Sequence, residues 1–193
     1  MNSQIKRSIK FSLTIAVITF VLAAIFSVIS SSILSKVVWI VGMIVVIVIV
    51  AIGVIFDMLG IASTSADEAP FHAMAAKKVP GAKQAVIIIR NADKFASFCN
   101  DVIGDISGIV SGTASAIVVL QISNSLGHGE GSAGQIAISV IFTSFIAALT
   151  VGGKALGKYF AINASTKIIF FTGKMIAIIE NKLNISILPE NKR

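Results

Sequence analysis

Two long uncharged stretches lie near the start of the chain, at residues 11–34 and 37–56, with only Lys36 between them. A helix needs about 20 residues to cross a hydrocarbon core of roughly 30 Å, and each stretch supplies that length. Because lipid cannot hydrogen-bond an exposed backbone, we predict that both stretches are helical. Two further apolar stretches, at residues 98–122 and 135–151, bring the number of predicted spans to four.

The composition supports the same fold class. Apolar residues make up 55% of the 193 residues and charged residues only 13%, whereas a soluble domain carries about 25% charged residues. We therefore predict an all-α polytopic membrane protein. The first apolar stretch is longer than the apolar region of a signal peptide and lacks a small-residue cleavage site, so we expect it to be retained. The single cysteine excludes an internal disulfide framework and a cysteine-rich metal site.

The basic residues predict the orientation in the membrane. If the N-terminus is cytoplasmic, every one of the 16 lysines and arginines except Lys36 falls on the cytoplasmic side. This distribution follows the positive-inside rule and predicts a multi-pass protein of the cell membrane with both termini in the cytoplasm. The net charge of +7 would then attract anionic lipid headgroups. We expect the lipid bilayer, and no nucleic acid, as the partner of this basic face.

Breaks in hydrophobicity divide the chain into segments. Ser65 and Glu68 form a capping-box pattern that predicts a helix start, and Val79-Pro80-Gly81 predicts a break between two short helices. Lysines recur at helical spacing among apolar residues near the C-terminus, which predicts an interfacial amphipathic helix rather than a fifth span. The predicted segments are a basic N-terminus (1–10), spans one and two (11–62), a cytoplasmic helical hairpin (63–96), spans three and four (97–153) joined by a glycine-rich outer loop (123–134), and a cytoplasmic amphipathic tail (154–193).

Several polar residues lie where hydrocarbon is expected. Ionisable groups inside spans are costly and usually face a cavity, a partner or an ion. Asp101 and Asp105 are one helical turn apart, so they share a face and repel each other unless a cation or a proton intervenes. Oxygen ligands of this kind suit hard cations. The predicted metal ligands are Asp57, Asn100, Asp101, Asp105 and Thr150.

Glycines accompany these oxygens. Gly104, Gly108 and Gly112 recur every four residues, a pattern that lets another helix approach closely. At the inner end of span four we expect Gly152 and Gly153 to interrupt the helix. The lysines that follow, Lys154 and Lys158, complete this inner-end element.

Two other interpretations of the carboxylates remain open. Asp57 and Asp105 could pair with Lys154 or Lys158, or cap helix ends, without binding an ion. Phe56-Asp57 and Gly104-Asp105 also partly match the motifs of intramembrane aspartyl proteases. The first glycine of the second motif is replaced by Val102, and no Pro-Ala-Leu element follows. We expect no enzyme and no catalytic residues, with the protease as a remote alternative.

Three short segments resemble the transmembrane domain of the cyclin-M/CorC family of magnesium transporters, and in particular its divergent CorB-type branch. Residues 60–82 (GIASTSADEAPFHAMAAKKVPGA) are similar to the exit of the family's first span and its juxtamembrane helix. Residues 90–97 (RNADKFAS) are similar to the entry into the next span, followed by Asn100. Residues 151–161 (VGGKALGKYFA) resemble the family's Pro-Lys-Ser-Leu-Gly region, with Gly153 in place of the proline.

The resemblance implies a homodimeric cation transporter that moves Mg²⁺, with Na⁺ as a possible exchange ion. The family's Ser and Glu ligands correspond here to Asp57 and Gly60, so the carboxylates are relocated. The cytoplasmic nucleotide-binding domain pair is missing, and its regulation would require a separate cytoplasmic subunit. We expect no firmly held cofactor beyond the transported cation. The alternative is a non-transporting membrane subunit for assembly or sensing.

Overall fold

A computed structural model describes residues 3–183 of the chain, without the side chains of residues 3, 4 and 7. The first two residues of the predicted N-terminus and residues 184–193 of the predicted tail lie outside this range. All elements in the described range are helical: α1 Ser3–Leu34, α2 Trp39–Ser65, α3 Ala69–Ala76, α4 Ala82–Arg90, α5 Ala92–Ser97, a π-helical segment Phe98–Gly104, α6 Asp105–Ser125, α7 Ala133–Asn163 and α8 Ser165–Leu183.

Within residues 3–183, four helical stretches are long and apolar enough to cross a membrane, so the prediction of an all-α fold with four helices of this kind is confirmed for the described part of the chain. They are Ser8–Leu34, Trp39–Ser65, Ala92–Ser125 and Ala133–Asn163. The third includes α5, the π-helical segment and α6.

The chain forms two compact units. The first comprises Met1–Gly53 and Val102–Gly153, and the second comprises Val54–Asp101 and Lys154–Arg193.

In the first unit, α1 packs against α6. Val102, Ile106 and Val110 form the buried cluster, and Ile15 and Leu22 of α1 pack on it. Three buried serines of α6 fit into this apolar packing because each hydroxyl donates a hydrogen bond to a carbonyl three or four residues earlier in the chain. These bonds run from Ser107 to Ile103, from Ser111 to Gly108 and from Ser115 to Ser111.

A close contact joins α6 to α2 inside this unit, and a pair of hydrogen bonds joins α6 to the end of α1 and the link that follows it. A Cβ at Gly53 would lie 2.9 Å from the Cβ of Ser107, so only glycine allows this approach of the helices. At the other end, Gln121 Nε2 donates to the carbonyls of Leu34 (2.8 Å) and Val37 (3.1 Å). Gln121 thereby satisfies backbone acceptors in the link between α1 and α2, where helical hydrogen bonds end.

In the second unit, α4 packs against α3 and α8. The apolar cluster that joins them contains Phe71, Ile88 and Ile169, each with no exposed surface. Gly81 precedes α4 with φ +88°, a conformation that favours glycine. Gly173 of α8 lies against this turn, since a Cβ there would be 2.5 Å from the Gly81 carbonyl oxygen.

The predicted capping box is wrong. Ser65 is the last residue of α2, and Glu68 occupies the N-cap position of α3 without a side-chain capping bond. Helix α2 continues through Ser63 and Thr64, whose hydroxyls donate to the carbonyls of Gly60 (2.7 Å) and Ile61 (3.0 Å) in the same helix. The Glu68 carboxylate instead accepts a hydrogen bond from Arg90.

The predicted interruption at Gly152 and Gly153 is also wrong. Helix α7 runs through both glycines to Asn163, and the amphipathic helix begins at Ser165. Two glycines cost a helix only about 2 kcal/mol relative to alanine. No proline follows them, and the next residues are helix formers, so nothing in the local sequence forces a break.

Candidate functional site

Asp57 is the centre of the candidate site in the second unit. Its carboxylate Oδ1 lies 3.4 Å from the Nζ of Lys154, and the two side chains are 17% and 32% exposed. The pairing of Asp57 with Lys154, one of the two interpretations of this aspartate, is therefore present. The ion pair offsets the cost of holding a carboxylate on an otherwise apolar stretch of helix.

The C-terminal part of α7 lies close to α2 at Gly157. A Cβ at Gly157 would lie 3.5 Å from the Cγ1 of Val54 and 3.6 Å from the Cβ of Met58, which is ordinary contact distance. Lys154 precedes Gly157 by three residues and so lies on the same side of α7. Because the two helices lie this close together, the Lys154 side chain reaches the Asp57 carboxylate.

Asn100 supplies a second oxygen in this unit. Its amide occupies the space that a side chain at residue 60 would fill, since a Cβ at Gly60 would overlap its Oδ1 and lie 2.6 Å from its Cγ. The Oδ1 atom is shielded and has no hydrogen-bond partner within the described part of the chain. Asp57 and Gly60 are three residues apart on one side of α2. The Asp57 carboxylate therefore projects from α2 about one helical turn from Gly60, the position over which the Asn100 amide packs.

The backbone that presents Asn100 is π-helical from Phe98 to Gly104. Such wide turns are rare and occur frequently at functional sites. The next residue along, Asp101, is exposed. No pattern in the sequence indicated this π-helical geometry.

The remaining predicted ligands belong to the first unit. Asp105 is exposed, and Thr150 is partly buried with its hydroxyl donating to the carbonyl of Ile146 (2.8 Å). Among the described residues, no three His, Cys, Asp or Glu side chains are grouped so that they could hold a metal. A metal centre that uses all five predicted ligands stays a prediction.

The three glycines of the predicted stripe differ in burial. Gly104 is buried, and its carbonyl oxygen lies 3.6 Å from the Cβ position of Gly53. Gly108 and Gly112 are exposed, and a Cβ at either would meet no atom within 4 Å. The packing role of these two glycines therefore stays a prediction about a partner helix.

The inner-end element is more exposed than the Asp57 pair. Lys158 is exposed, and a Cβ at Gly152 would meet no atom within 4 Å, while Gly153 is partly buried. Within the inner-end element, Lys154 is the residue whose ammonium lies beside the Asp57 carboxylate.

One polar cluster was missed by the sequence analysis. Arg90 Nε donates to Glu68 Oε1 at 2.6 Å, and His72 Nε2 lies 2.7 Å from the same oxygen. The hydrogen bond from Arg90, followed by that from His72, lowers the pKa of the Glu68 carboxyl below its usual value of 4.5. The spacing of Glu68 and His72, four residues apart, was a readable signal. The contact with Arg90 depends on the packing of α3 against α4.

Comparison of the chain with protein-family models, curated protein sequences and solved structures finds no match.

Proposed function

We propose that the chain is a membrane cation transporter or transporter-like protein for a hard divalent cation such as Mg²⁺, with Na⁺ as a coupling ion. The Asp57 carboxylate carries this proposal. It lies on an apolar helix long enough to cross a membrane and is 17% exposed. Ionisable groups in such helices are costly, and they commonly mark ion and proton pathways.

The Asp57–Lys154 pair suggests how a cation would be exchanged. The lysine ammonium holds the position of a cation, 3.4 Å from the carboxylate. An arriving metal ion competes with the ammonium for that oxygen, and the lysine neutralises the carboxylate again once the ion leaves. The site therefore need not hold an unpaired charge at either stage, which would be costly in a low-dielectric environment.

Asn100 supports the same proposal as a second ligand. Its shielded Oδ1 has no partner in the described chain, and an unsatisfied buried acceptor costs about 1–3 kcal/mol. A bound cation would satisfy it, since amide and carboxylate oxygens are the ligands that hard cations take. Asp101, Asp105 and Thr150 remain further candidate ligands.

The basic residues and the resemblance to the cyclin-M/CorC family support the rest of the proposal. We place the protein in the cell membrane with both termini in the cytoplasm, as a homodimer. We propose no catalytic residues.

Flux measurements with matched variants test the proposal. The purified protein is reconstituted into liposomes that contain a Mg²⁺-sensitive dye, with and without a Na⁺ gradient. We expect Asp57→Asn and Asn100→Ala to lower the Mg²⁺ flux at least tenfold. The control Asp67→Asn removes an exposed carboxylate outside the four candidate spans and leaves the flux unchanged. Lys154→Met removes the competing ammonium and lowers the Mg²⁺ concentration at half-maximal flux.

Two results would contradict transport through this site. One is a parent protein whose flux equals that of empty liposomes. The other is an Asp57→Asn variant that transports as fast as the parent. A purely structural ion pair predicts that Asp57→Asn and Lys154→Met both lower the unfolding temperature while the flux per folded molecule stays the same.

A non-transporting assembly or sensor subunit is the second candidate, and the exposed face of α6 favours it. Asp105, Gly108 and Gly112 are all exposed there, and the two glycines leave room for the close approach of a partner helix. The liposome assay separates the candidates, because such a subunit gives no flux in the parent protein.

A further inference from the structure

An open apolar groove lies between α2 and α8 in the second unit. Its volume is about 480 Å³, within the range of about 300–1,000 Å³ found for small-molecule sites. Helix α2 contributes Ile55, Met58 and Leu59, and α8 contributes Ile168, Phe171 and Met175.

Two residues of the groove lining are not apolar, Thr172 and Lys167. The hydroxyl of Thr172 donates to the carbonyl of Ile168 at 2.8 Å and so presents no free donor. Lys167 is the one charged residue in the lining. None of the carboxylates in the described range forms an ion pair with Lys167, which leaves its ammonium available to an anion.

The groove opens to its surroundings along its length. Ile55, Phe171 and Met175 line it and are 49%, 64% and 45% exposed. Helix α2 is long and apolar enough to cross a membrane, and in the membrane location proposed above the medium around this helix is lipid. A lysine beside exposed apolar side chains can bury its methylene stem and direct its ammonium to the headgroup layer.

We propose that this groove binds one anionic phospholipid, with an acyl chain along the apolar lining and the phosphate at Lys167. The charge complementarity of Lys167 selects an anionic headgroup, and the apolar lining selects an acyl chain rather than a free phosphate. The proposal rests on the membrane location proposed above and is independent of transport. The occupied groove would fix α8 against α2.

Lipid binding to the detergent-purified full-length protein tests the assignment. Native mass spectrometry counts bound dioleoylphosphatidylglycerol and dioleoylphosphatidylcholine in parallel titrations. We expect the parent to retain the anionic lipid preferentially. We expect Lys167→Gln to weaken its binding about fivefold, the factor for one lysine near an anionic surface. The control Lys174→Gln removes an exposed lysine of the same helix outside the groove lining and changes binding less than twofold.

A second matched pair tests the apolar part of the groove. Phe171→Glu places a carboxylate in the lining and abolishes lipid retention. Ile178→Glu, at a position of α8 that is 51% exposed and outside the lining, leaves it intact. Both changes affect exposed side chains, and the unfolding temperature of each variant checks that it folds.

Three results would overturn the proposal. Equal losses in Lys167→Gln and Lys174→Gln would show a diffuse surface attraction, and equal binding of both lipids would remove the role of Lys167. A dimer that Phe171→Glu dissociates in lipid-free detergent would assign the groove to a second copy of the chain. None of these results depends on measured ion flux.

Discussion

Gly173→Ala tests the packing of α8 on α4 most directly. A Cβ at Gly173 would lie 2.5 Å from the carbonyl oxygen of Gly81 and 2.9 Å from the amide nitrogen of Ala85. Both atoms belong to the backbone, so no side-chain rotation relieves the overlap. Ordinary contact begins at 3.4 Å, which means that α8 must move by about 0.9 Å or the turn at Gly81 must change.

Two opposing effects set the size of the change in stability. Alanine is favoured over glycine inside a helix by about 1 kcal/mol, while overpacking a close contact costs about 1–3 kcal/mol. The turn cannot yield easily, because Gly81 has φ +88° and itself lies 2.5 Å, at its Cβ position, from the Cα of Lys174. We therefore take the upper part of the overpacking range. The free energy of unfolding should fall by about 1–2 kcal/mol.

Reversible unfolding in mixed micelles, followed by circular dichroism, measures this difference. Gly152→Ala is the matched control. It makes the same substitution inside helix α7, where an added Cβ meets no atom within 4 Å. It should gain up to about 1 kcal/mol from helix propensity. A Gly173→Ala protein that is as stable as the parent, or more stable, would refute the close packing of α8 against the Gly81 turn.

Two further predictions concern hydrogen bonds. Gln121→Leu removes the two bonds to the carbonyls of Leu34 and Val37 and should lower the free energy of unfolding by about 1–3 kcal/mol, measured in the same micelles; an unchanged value would contradict the role given to Gln121. The pKa of Glu68 is lower in the folded protein than its usual value of 4.5. The ionised carboxylate therefore stabilises the folded state fully above its usual pKa, and this stabilisation is lost as the pH falls below about 4.5 and through the folded-state pKa. The amide protection factors in α3, which correct the hydrogen-exchange rates for the intrinsic effect of pH, should then fall, and Glu68→Gln should remove this pH dependence.

Local sequence patterns were unreliable at the helix ends near the candidate site. The capping-box residues Ser65 and Glu68 match the motif, yet Glu68 bonds to Arg90 of α4. A motif of this kind fixes only which bonds are possible, and the packing of α3 against α4 selects among them. Likewise, the pair Gly152-Gly153 weakens a helix without ending it, so the flanking residues decided that α7 continues.

The candidate site could be predicted only in part. The cost of a charge in an apolar helix singles out Asp57 from sequence alone. Its contact with Lys154 joins residues nearly a hundred positions apart, and the sequence offered Lys154 and Lys158 equally. The insertion of Asn100 over Gly60 depends on a π-helical segment, and no periodicity in the sequence indicated one.

The sequence by itself determined that the chain is helical and that four of its helices have the length and polarity of membrane spans. Hydrophobic length is a property of consecutive residues, and a membrane's thickness and lack of hydrogen-bonding partners leave few alternatives to a helix. Only the tertiary structure decided which polar groups meet. Pairings such as Asp57 with Lys154 and Glu68 with Arg90 depend on the distances between packed helices, because each joins residues that are far apart in the sequence.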